Sequence, residues 1–315
     1  MNSLRALALL LAFLPAAMAE DFLPGVTRIL FLGDSITYAG HYVDDFDLFL
    51  ATKYPGRRFE VIDCGLPSET VSGLSEAGHA GGKFPRPDLH ERLDRVLAIV
   101  KPDLIFACYG MNCGIYLPFS EERFAKYQEG IRKLREKARN AGAQIIHLTP
   151  PVFDPLPIKA RVKPAGSVKD GDMFEGYNGV LDRYSEWLVA QGKSEGWRVI
   201  DTHNAMAAAL ETARKANPEF TFSKDGVHAN EAGHHVMAVT ILKALGAEFD
   251  PDITALAELR KLIRKRGRLL TDAYLNAAGH KRPGMAKGLP LEEARAKAAE
   301  IDAQLREAAA KIPAK

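Results

Sequence analysis

One serine near the start of the sequence, and an aspartate and a histidine close together far along it, could together form an activated nucleophile. Ser35 lies in the run GDSIT, and Asp225 and His228 lie three residues apart in the run DGVH. A nucleophilic serine needs a base to accept its proton, and the base needs a partner that fixes its tautomer. Taken singly, Ser35 also suits a helix cap, Asp225 a turn and His228 packing. The hypothesis therefore depends on the three residues meeting in the fold.

Two other positions could donate hydrogen bonds to a developing oxyanion. Gly65 follows the second apolar run of the sequence, where a backbone N–H could bind substrate, and Asn112 follows the third. The Asn112 side chain carries an amide that could donate to the same oxyanion. Glycine and asparagine are also the usual occupants of turns, which is the simpler interpretation of each residue alone.

The three cysteines, Cys64, Cys108 and Cys113, are too few for a disulfide scaffold or a zinc ribbon. Cys64 and Cys113 lie beside the candidate oxyanion residues, and in an oxidising compartment they could form a disulfide. We favour buried free thiols, because cysteine commonly serves as a small apolar core residue. A cysteine nucleophile is disfavoured because neither has a histidine nearby in sequence. The sequence leaves the redox state of all three open.

Motifs for metals and nucleotide cofactors are missing from the sequence. It contains no HExxH motif, no clustered Cys/His spacing, and no GxGxxG or P-loop after a predicted strand. His234 and His235 are interpreted as packing or solvent-facing residues of a helix. We therefore expect neither a cofactor nor a metal site.

Alternating strand and helix patterns would position the candidate residues. Short apolar runs predict strands at 28–32, 59–63, 103–109, 144–148 and 197–200. Amphipathic patterns predict helices at 42–53, 89–100, 120–141, 175–190 and 231–245. This alternation indicates an α/β fold with a mainly parallel sheet, in which ligands bind at the carboxyl ends of strands. Residues 153–174 have no clear periodicity and are predicted to form a long surface loop.

Taken in order, these motifs resemble the SGNH hydrolase family, also called GDSL esterases/lipases. The family is named for a serine, a glycine, an asparagine and a histidine in four blocks, which here are Gly33-Asp34-Ser35, Gly65, Gly110-x-Asn112 and Asp225-x-x-His228. The resemblance spans about residues 28–246. It implies a three-layer α/β/α sandwich around a flavodoxin-like five-stranded parallel sheet. In two departures from the family pattern, Cys113 follows Asn112 where an aspartate is common, and Cys64 precedes Gly65.

The resemblance implies a role for each residue. Ser35 would be the nucleophile, His228 the general base and acid, and Asp225 the residue that orients His228. The oxyanion hole would consist of the Ser35 N–H, the Gly65 N–H and the Asn112 side chain. The implied activity is ester hydrolysis through an acyl-enzyme, without a cofactor, on a small-molecule or polysaccharide ester.

Among family members, an exported protein without a long apolar lid favours short acyl groups, such as acetyl, on carbohydrate. A lipid or lysophospholipid esterase is the alternative within enzymes. The alternative from another class is a non-catalytic protein on the same fold that holds an anionic glycan with the loop 153–174 and the basic tail.

The two ends of the chain differ from its middle. Residues 1–19 combine Arg5, an apolar run and an Ala-Met-Ala site, the order typical of a signal peptide, and the run is too short to span a bilayer. We expect cleavage after Ala19 and a secreted or periplasmic protein. The predicted division is a signal peptide, a hydrolase domain at 20–250 and a basic helical extension at 251–315.

The net charge of +2 over 315 residues gives no electrostatic case for nucleic-acid binding. It conceals a charge of +6 in residues 251–315 and of −5 in residues 20–250. The extension is predicted to form helices at 253–275 and 290–310, joined by a link at 279–289. Its basic run 260–266 could bind an anionic polymer or membrane surface, but we favour a solvated helix face whose leucines pack on the main body. The oligomeric state and the physiological ester are not indicated.

Overall fold

The computed structural model describes residues 22–169, 171–249 and 256–311 of the chain. The predicted signal peptide at 1–19 and the first residues of the helix predicted at 253–275 lie outside these ranges. Among the described residues, no helix is both long enough and apolar enough to cross a membrane.

Five parallel strands form the central sheet in the order β2-β1-β3-β4-β7. Their bounds are β1 Arg28–Gly33, β2 Glu60–Asp63, β3 Leu104–Cys108, β4 Gln144–Leu148 and β7 Arg198–Ile200. Every residue of β3 is buried, which explains why its sequence is continuously apolar rather than alternating. The predicted α/β fold is confirmed, and the strand order is that of flavodoxin-like sheets.

Nine helices surround the sheet in the described part of the chain. They are α1 Ser35–Ala39, α2 His41–Lys53, α3 Leu89–Val100, α4 Glu121–Asn140, α5 Tyr177–Glu195, α6 Thr202–Ala216, α7 Glu231–Ala244, α8 Ala257–Ala278 and α9 Leu291–Ala309. Contacts group α2, α6 and α7 in one layer and α3 and α4 in another. Five of the helices begin at a side-chain cap, supplied by Asp34, Asp88, Ser120, Asp201 and Asn230. Helices α1 and α6 were not predicted.

The strand order places a crevice between β1 and β3. The chain continues from β1 into a helix layer on one face of the sheet and from β3 into the helix layer on the other face. Ser35 follows β1 and Asn112 follows β3, so both lie at this crevice. Gly33 allows the chain to turn sharply into α1. A Cβ at Gly33 would lie 2.0 Å from Thr37 Oγ1 and 2.9 Å from the Cys108 carbonyl oxygen, so no other residue type fits without movement.

The long loop predicted at 153–174 is ordered by short elements and by its neighbours. It contains a 3₁₀ turn at Leu156–Ile158, and its strands β5 Val162–Lys163 and β6 Met173–Phe174 pair with each other. The Asp154 N–H donates to the Gly226 carbonyl at 2.9 Å, and the Phe174 N–H donates to the Tyr116 carbonyl at 2.8 Å. The loop is thus attached at one end beside the Asp225–His228 turn and at the other beside the loop of Asn112.

The extension packs along the body through α8, which contacts α2, α3 and β2. Apolar residues of α8 such as Ile263 are buried, as predicted. The expectation of a solvated basic face is wrong for Arg260 and Arg266, each only 9% exposed. Arg260 pairs with Asp45 at 2.9 Å, and Arg266 pairs with Asp47. The reason is that α2 turns a row of carboxylates towards α8, and buried charges of opposite sign satisfy one another.

Candidate active site

The structure brings Ser35, His228 and Asp225 together into one hydrogen-bonded chain. Ser35 Oγ lies 2.8 Å from His228 Nε2, and His228 Nδ1 lies 2.7 Å from Asp225 Oδ2. An ionised carboxylate only accepts, so Nδ1 donates to Asp225 and Nε2 is left to accept the Ser35 proton. This is the arrangement in which a serine hydroxyl can become a nucleophile.

The turn that carries Asp225 is built to hold a carboxylate. Asp225 Oδ1 accepts hydrogen bonds from the N–H groups of His228 at 2.8 Å and Val227 at 3.0 Å, and from Ser223 Oγ at 2.9 Å. Partial burial would raise the Asp225 pKa, but these bonds and the bond to the His228 ring hold it well below its usual range. The bond to Asp225 in turn raises the pKa of His228, despite partial desolvation of the ring.

Asp34 precedes the serine and fixes the start of its helix. Its side chain accepts a hydrogen bond from the Ile36 N–H at 2.9 Å, which caps α1 at its N-terminus. Burial raises the pKa of Asp34 to about 6, and its charge contributes to the raised pKa of His228. Ser35 is therefore the first residue of a capped helix, and the carboxylate of Asp34 precedes it in the chain.

Activity should fall as the pH is lowered through a pKa above the ordinary value of 6.5 for histidine, because only neutral His228 accepts the Ser35 proton. In Asp225→Asn the bond that raises this pKa is lost, so the acid limb of kcat/KM should shift to lower pH while the rate falls about 10⁴-fold. The measurement is the pH profile of nitrophenyl acetate hydrolysis.

Asp182→Asn is the matched control for this pH profile, since Asp182 pairs with His203 at 2.6 Å in a second histidine–aspartate contact away from Ser35. Its acid limb should coincide with that of the wild type. An acid limb in Asp225→Asn unchanged from the wild type would contradict the coupling of Asp225 to His228.

Asn112 lies 4% exposed in the loop after β3, with its amide oriented by three partners. Its Oδ1 accepts from Arg86 Nη1 at 2.9 Å and from the Tyr116 hydroxyl at 3.1 Å. Its Nδ2 donates to the Glu69 carbonyl at 3.2 Å. A primary amide nitrogen has two hydrogens, so one N–H of Asn112 is left to donate to an oxyanion.

The geometry does not support the predicted role of Gly65. Its N–H already donates to Asp63 Oδ1 at 2.7 Å, so it is not free for substrate. The Gly65 Cα also lies against α1, where a Cβ would be 2.4 Å from the Tyr38 nitrogen. The physical requirement for glycine at this position is therefore the close approach of α1 to β2, and the assignment of Gly65 to the oxyanion hole is corrected.

Ser68, in the same loop as Gly65, was missed by sequence reasoning. It adopts a left-handed backbone with φ of 70°, which is unfavourable for a residue with a Cβ. The carbonyl of the next residue, Glu69, accepts the hydrogen bond from Asn112. Strained backbone is therefore found beside Asn112, and it lies at Ser68 rather than at Gly65.

Arg86, Glu76 and Tyr116 were also missed. Arg86 and Glu76 lie in the segment between β2 and α3, where a polar residue in an irregular segment carries no pattern that separates it from a solvated one. The ion pair between them is 2.7 Å long and buried. Only the fold shows that this segment reaches the loop of Asn112, which lies beyond the next strand.

The remaining candidates behave as core residues. Cys64, Cys108 and Cys113 are buried free thiols, which confirms the favoured interpretation. Burial raises the pKa of Cys64 to about 12 and that of Cys113 to about 11, so neither supplies a thiolate at neutral pH. His234 is buried against the rings of Tyr42 and His41, while His235 pairs with Asp45 at 3.1 Å. No cluster of metal-ligating side chains occurs among the described residues.

The reactive groups face solvent rather than a deep cavity. The side chains of His228 and Asp225 are 51% and 46% exposed. Four cavities of about 170, 240, 490 and 690 Å³ lie elsewhere in the described part of the protein, and none of them is lined by Ser35, His228 or Asp225. A large substrate can therefore approach this site directly.

A serine–histidine–aspartate relay at the carboxyl edge of a flavodoxin-like sheet, with an asparagine amide at the next strand end, defines an SGNH-type ester hydrolase. The chain belongs to the GDSL-like Lipase/Acylhydrolase family, whose model matches residues 31–236. That match confirms the resemblance drawn from the motifs. No curated protein matches the sequence significantly.

Several solved structures have the same fold. One is BT4096, described as a gut microbial diltiazem-metabolizing enzyme, with 24% identity and a TM-score of 0.53 over 70% of this chain and 47% of that one. The present chain therefore spans about half of that protein. Axe2, an acetylxylan esterase from Geobacillus stearothermophilus, has 22% identity and a TM-score of 0.51 over 72% and 97% of the two chains. The acetyl xylan esterase AlAXEase has 18% identity and a TM-score of 0.51 over 69% and 98%.

Proposed function

We propose that this protein is an exported serine esterase that removes short acyl groups, chiefly acetyl, from carbohydrate. The observation that carries the proposal is the continuous relay from Ser35 through His228 to Asp225. The leader at 1–19 would direct the protein out of the cytoplasm, which N-terminal sequencing of the protein recovered from outside the cytoplasm would test.

The relay accounts for both halves of ester hydrolysis. Ser35 Oγ attacks the ester carbonyl as its proton moves to His228 Nε2, and the carbonyl oxygen becomes an oxyanion. The Ser35 N–H and the free N–H of Asn112 donate to that oxyanion. The bond to the alcohol then breaks, and the alcohol leaves with the proton from His228. In the second half, His228 accepts a proton from water, the hydroxide attacks the acyl-enzyme, and the acid departs as Ser35 regains its proton.

Two features support a short acyl group on a large polar alcohol. The exposed His228 and Asp225 side chains leave room for a polymer to lie across the site. The four cavities described above are lined by residues other than Ser35, His228 and Asp225, so none of them offers an apolar channel to an acyl chain bound at Ser35. The fold shared with two acetylxylan esterases is consistent with the same substrate class.

A series of nitrophenyl esters from acetyl to octanoyl tests the proposed acyl preference, and acetate release from acetylated glycans tests the alcohol. We expect kcat/KM to be highest for acetyl and to fall with chain length, because a longer chain gains no apolar contact here. A fluorophosphonate should label Ser35 stoichiometrically.

Rising kcat/KM towards octanoyl would replace the carbohydrate proposal with the lipid esterase. Absence of both turnover and labelling would leave the non-catalytic glycan-binding protein. If the protein hydrolyses nitrophenyl acetate but releases no acetate from acetylated glycans, the proposed acyl group is right and the proposed alcohol is wrong.

A further inference from the structure

The segment between β2 and α3 carries a buried arginine that donates a hydrogen bond from each of its three side-chain nitrogens. Arg86 is 8% exposed, and its Nε and Nη2 atoms each donate to Glu76 at 2.7 Å in a two-pronged ion pair. Its remaining nitrogen, Nη1, donates to Asn112 Oδ1 at 2.9 Å. The planar guanidinium fixes the angles between these bonds, which a lysine could not do. Glu76 thus aims Arg86 at the oxygen of one amide.

Tyr116 places a second donor on the same amide oxygen. Its hydroxyl lies 3.1 Å from Asn112 Oδ1, and the Arg86 guanidinium lies 5.3 Å from the centre of its ring. The backbone at Tyr116 has φ of 58° and that at Ile115 has φ of 48°, a conformation that is especially unfavourable for the β-branched isoleucine. Two such residues in succession persist only where the surrounding structure holds them.

The surroundings of Tyr116 supply that support. Its carbonyl accepts the hydrogen bond from Phe174 N–H, and its ring packs 4.9 Å from the ring of Tyr177 and 6.2 Å from that of Phe153. The long loop at 153–174 therefore keeps the strained turn in place. In this strained conformation the Tyr116 hydroxyl donates to Asn112.

Two donors on Oδ1 determine which way the Asn112 amide faces. If the amide rotated by half a turn, its NH₂ group would face the Arg86 guanidinium, which has no acceptor, and Oδ1 would lose its hydrogen bonds from Arg86 and the Tyr116 hydroxyl. The Arg86 charge also draws electron density towards Oδ1, which makes the N–H groups of Asn112 stronger donors. Arg86 does this through the amide, since each of its three nitrogens donates a hydrogen bond to Glu76 or Asn112 and its side chain is only 6% exposed.

We propose that Arg86 and Tyr116 form a clamp that fixes and polarises the Asn112 amide for binding the oxyanion. Both are positioning residues, because they act through Asn112, and Glu76 supports the clamp by anchoring Arg86. Cys113, which follows Asn112 where an aspartate is common in the family, is buried. In this chain Arg86 and Tyr116 are the residues that bond to the Asn112 side-chain oxygen. This inference rests on the proposed esterase function.

The test compares Arg86→Ala, Arg86→Lys and Tyr116→Phe on nitrophenyl acetate. Arg86→Ala should lower kcat about 10- to 100-fold with little change in KM, because a misaligned oxyanion donor affects the transition state more than the bound substrate. Arg86→Lys should fall between Arg86→Ala and the wild type, and Tyr116→Phe should lose several-fold in kcat. Added guanidinium ion should restore part of the kcat of Arg86→Ala and none of that of Tyr116→Phe.

Arg266→Ala is the matched control, since it also removes a buried arginine from an ion pair, here with Asp47. It should lower the Tm and leave kcat for nitrophenyl acetate unchanged. If Arg86→Ala does not fold, Tyr116→Phe carries the test, because it removes a single oxygen from a ring that stays packed.

A double-mutant cycle with Asn112→Ala decides whether the clamp acts through the amide. In the Asn112→Ala background, Arg86→Ala and Tyr116→Phe should each change kcat less than about threefold, because the group they position is gone. Equal losses in both backgrounds, or a loss of Arg86→Ala seen in KM rather than kcat, would overturn the proposal. Wild-type turnover and fluorophosphonate labelling at Ser35 report separately on the proposed function, so its failure cannot be mistaken for failure of the clamp.

Discussion

Replacing Ser35 by alanine is expected to lower kcat for nitrophenyl acetate about 10⁵- to 10⁶-fold, since the covalent route is then closed. The Ser35 hydroxyl is the only group through which the acyl group could be passed to His228-activated water in the proposed sequence. The protein should stay folded, with a Tm near that of the wild type, because the variant removes one partly exposed oxygen. Hydrolysis is measured at substrate saturation, alongside fluorophosphonate labelling.

Ser194→Ala is the control for Ser35→Ala, because the Ser194 hydroxyl bonds to the Ala190 carbonyl within its own helix. It should label and turn over like the wild type. An Ser35→Ala protein that keeps more than about a thousandth of the wild-type rate would contradict Ser35 as the nucleophile. Because binding does not need the hydroxyl, the same variant should still bind acetylated oligosaccharide, the proposed substrate class.

The second large effect is expected for His228→Ala, which removes the base and leaves Ser35 with an unactivated hydroxyl. The loss of kcat should approach that of Ser35→Ala, about 10⁵- to 10⁶-fold, and the double variant should be no slower than either single one. The reason is that the two residues act as one unit, joined by the 2.8 Å contact between Oγ and Nε2. Single-turnover and steady-state rates on nitrophenyl acetate provide the measurement.

His235→Ala provides the comparison, since it lies in the adjoining helix and its ring pairs with Asp45 rather than with Ser35. Its kcat should match that of the wild type. If the effects of Ser35→Ala and His228→Ala multiplied in the double variant, the two residues would be acting independently and the relay would be refuted.

The sheet could be predicted from sequence because its strands are covered on both faces. The strand β3 illustrates this, since every residue from Leu104 to Cys108 is buried and every one is apolar. Strand ends were predicted within a residue or so, and at the first four strands of the central sheet a glycine or proline lies at the end or within two residues of it. Helix α6 escaped prediction because only two of its four buried residues, Met206 and Leu210, are apolar, while the other two, Thr202 and His203, are polar. Two apolar residues in a helix of this length are too few to establish a helical period in the sequence.

The candidate site also contains residues that could be predicted from the sequence and residues that could not. Ser35, Asp225, His228 and Asn112 could be selected because each lies at a strand end or directly before a helix, where chain order alone predicts a common edge. Gly65 satisfied the same rule, but its N–H was already used by Asp63, a detail that depends on one side-chain rotamer. Arg86 could not be selected, since its role depends on how an irregular segment folds back over the next strand end.

The charge of the extension shows a third kind of limit. The sequence predicts that the arginines of α8 form an exposed basic face, because helical spacing does not show which element packs against that face. Their partners are Asp44, Asp45 and Asp47 of α2, more than 200 residues earlier in the chain. Pairing over such a separation is decided by tertiary packing, and no local pattern encodes it.

That pairing sets a condition on any shortened form of the protein. A fragment that ends before α8 would present Asp44, Asp45 and Asp47 side by side on one helix without the guanidinium groups that now neutralise them. Burial raises the pKa of Asp44 to about 7 in the intact chain, but without α8 this face of α2 would be open to water, and like charges close together on one helix would destabilise α2. A minimal catalytic unit would therefore need neutral residues at these three positions, and its design is a problem of charge replacement as well as of boundary choice.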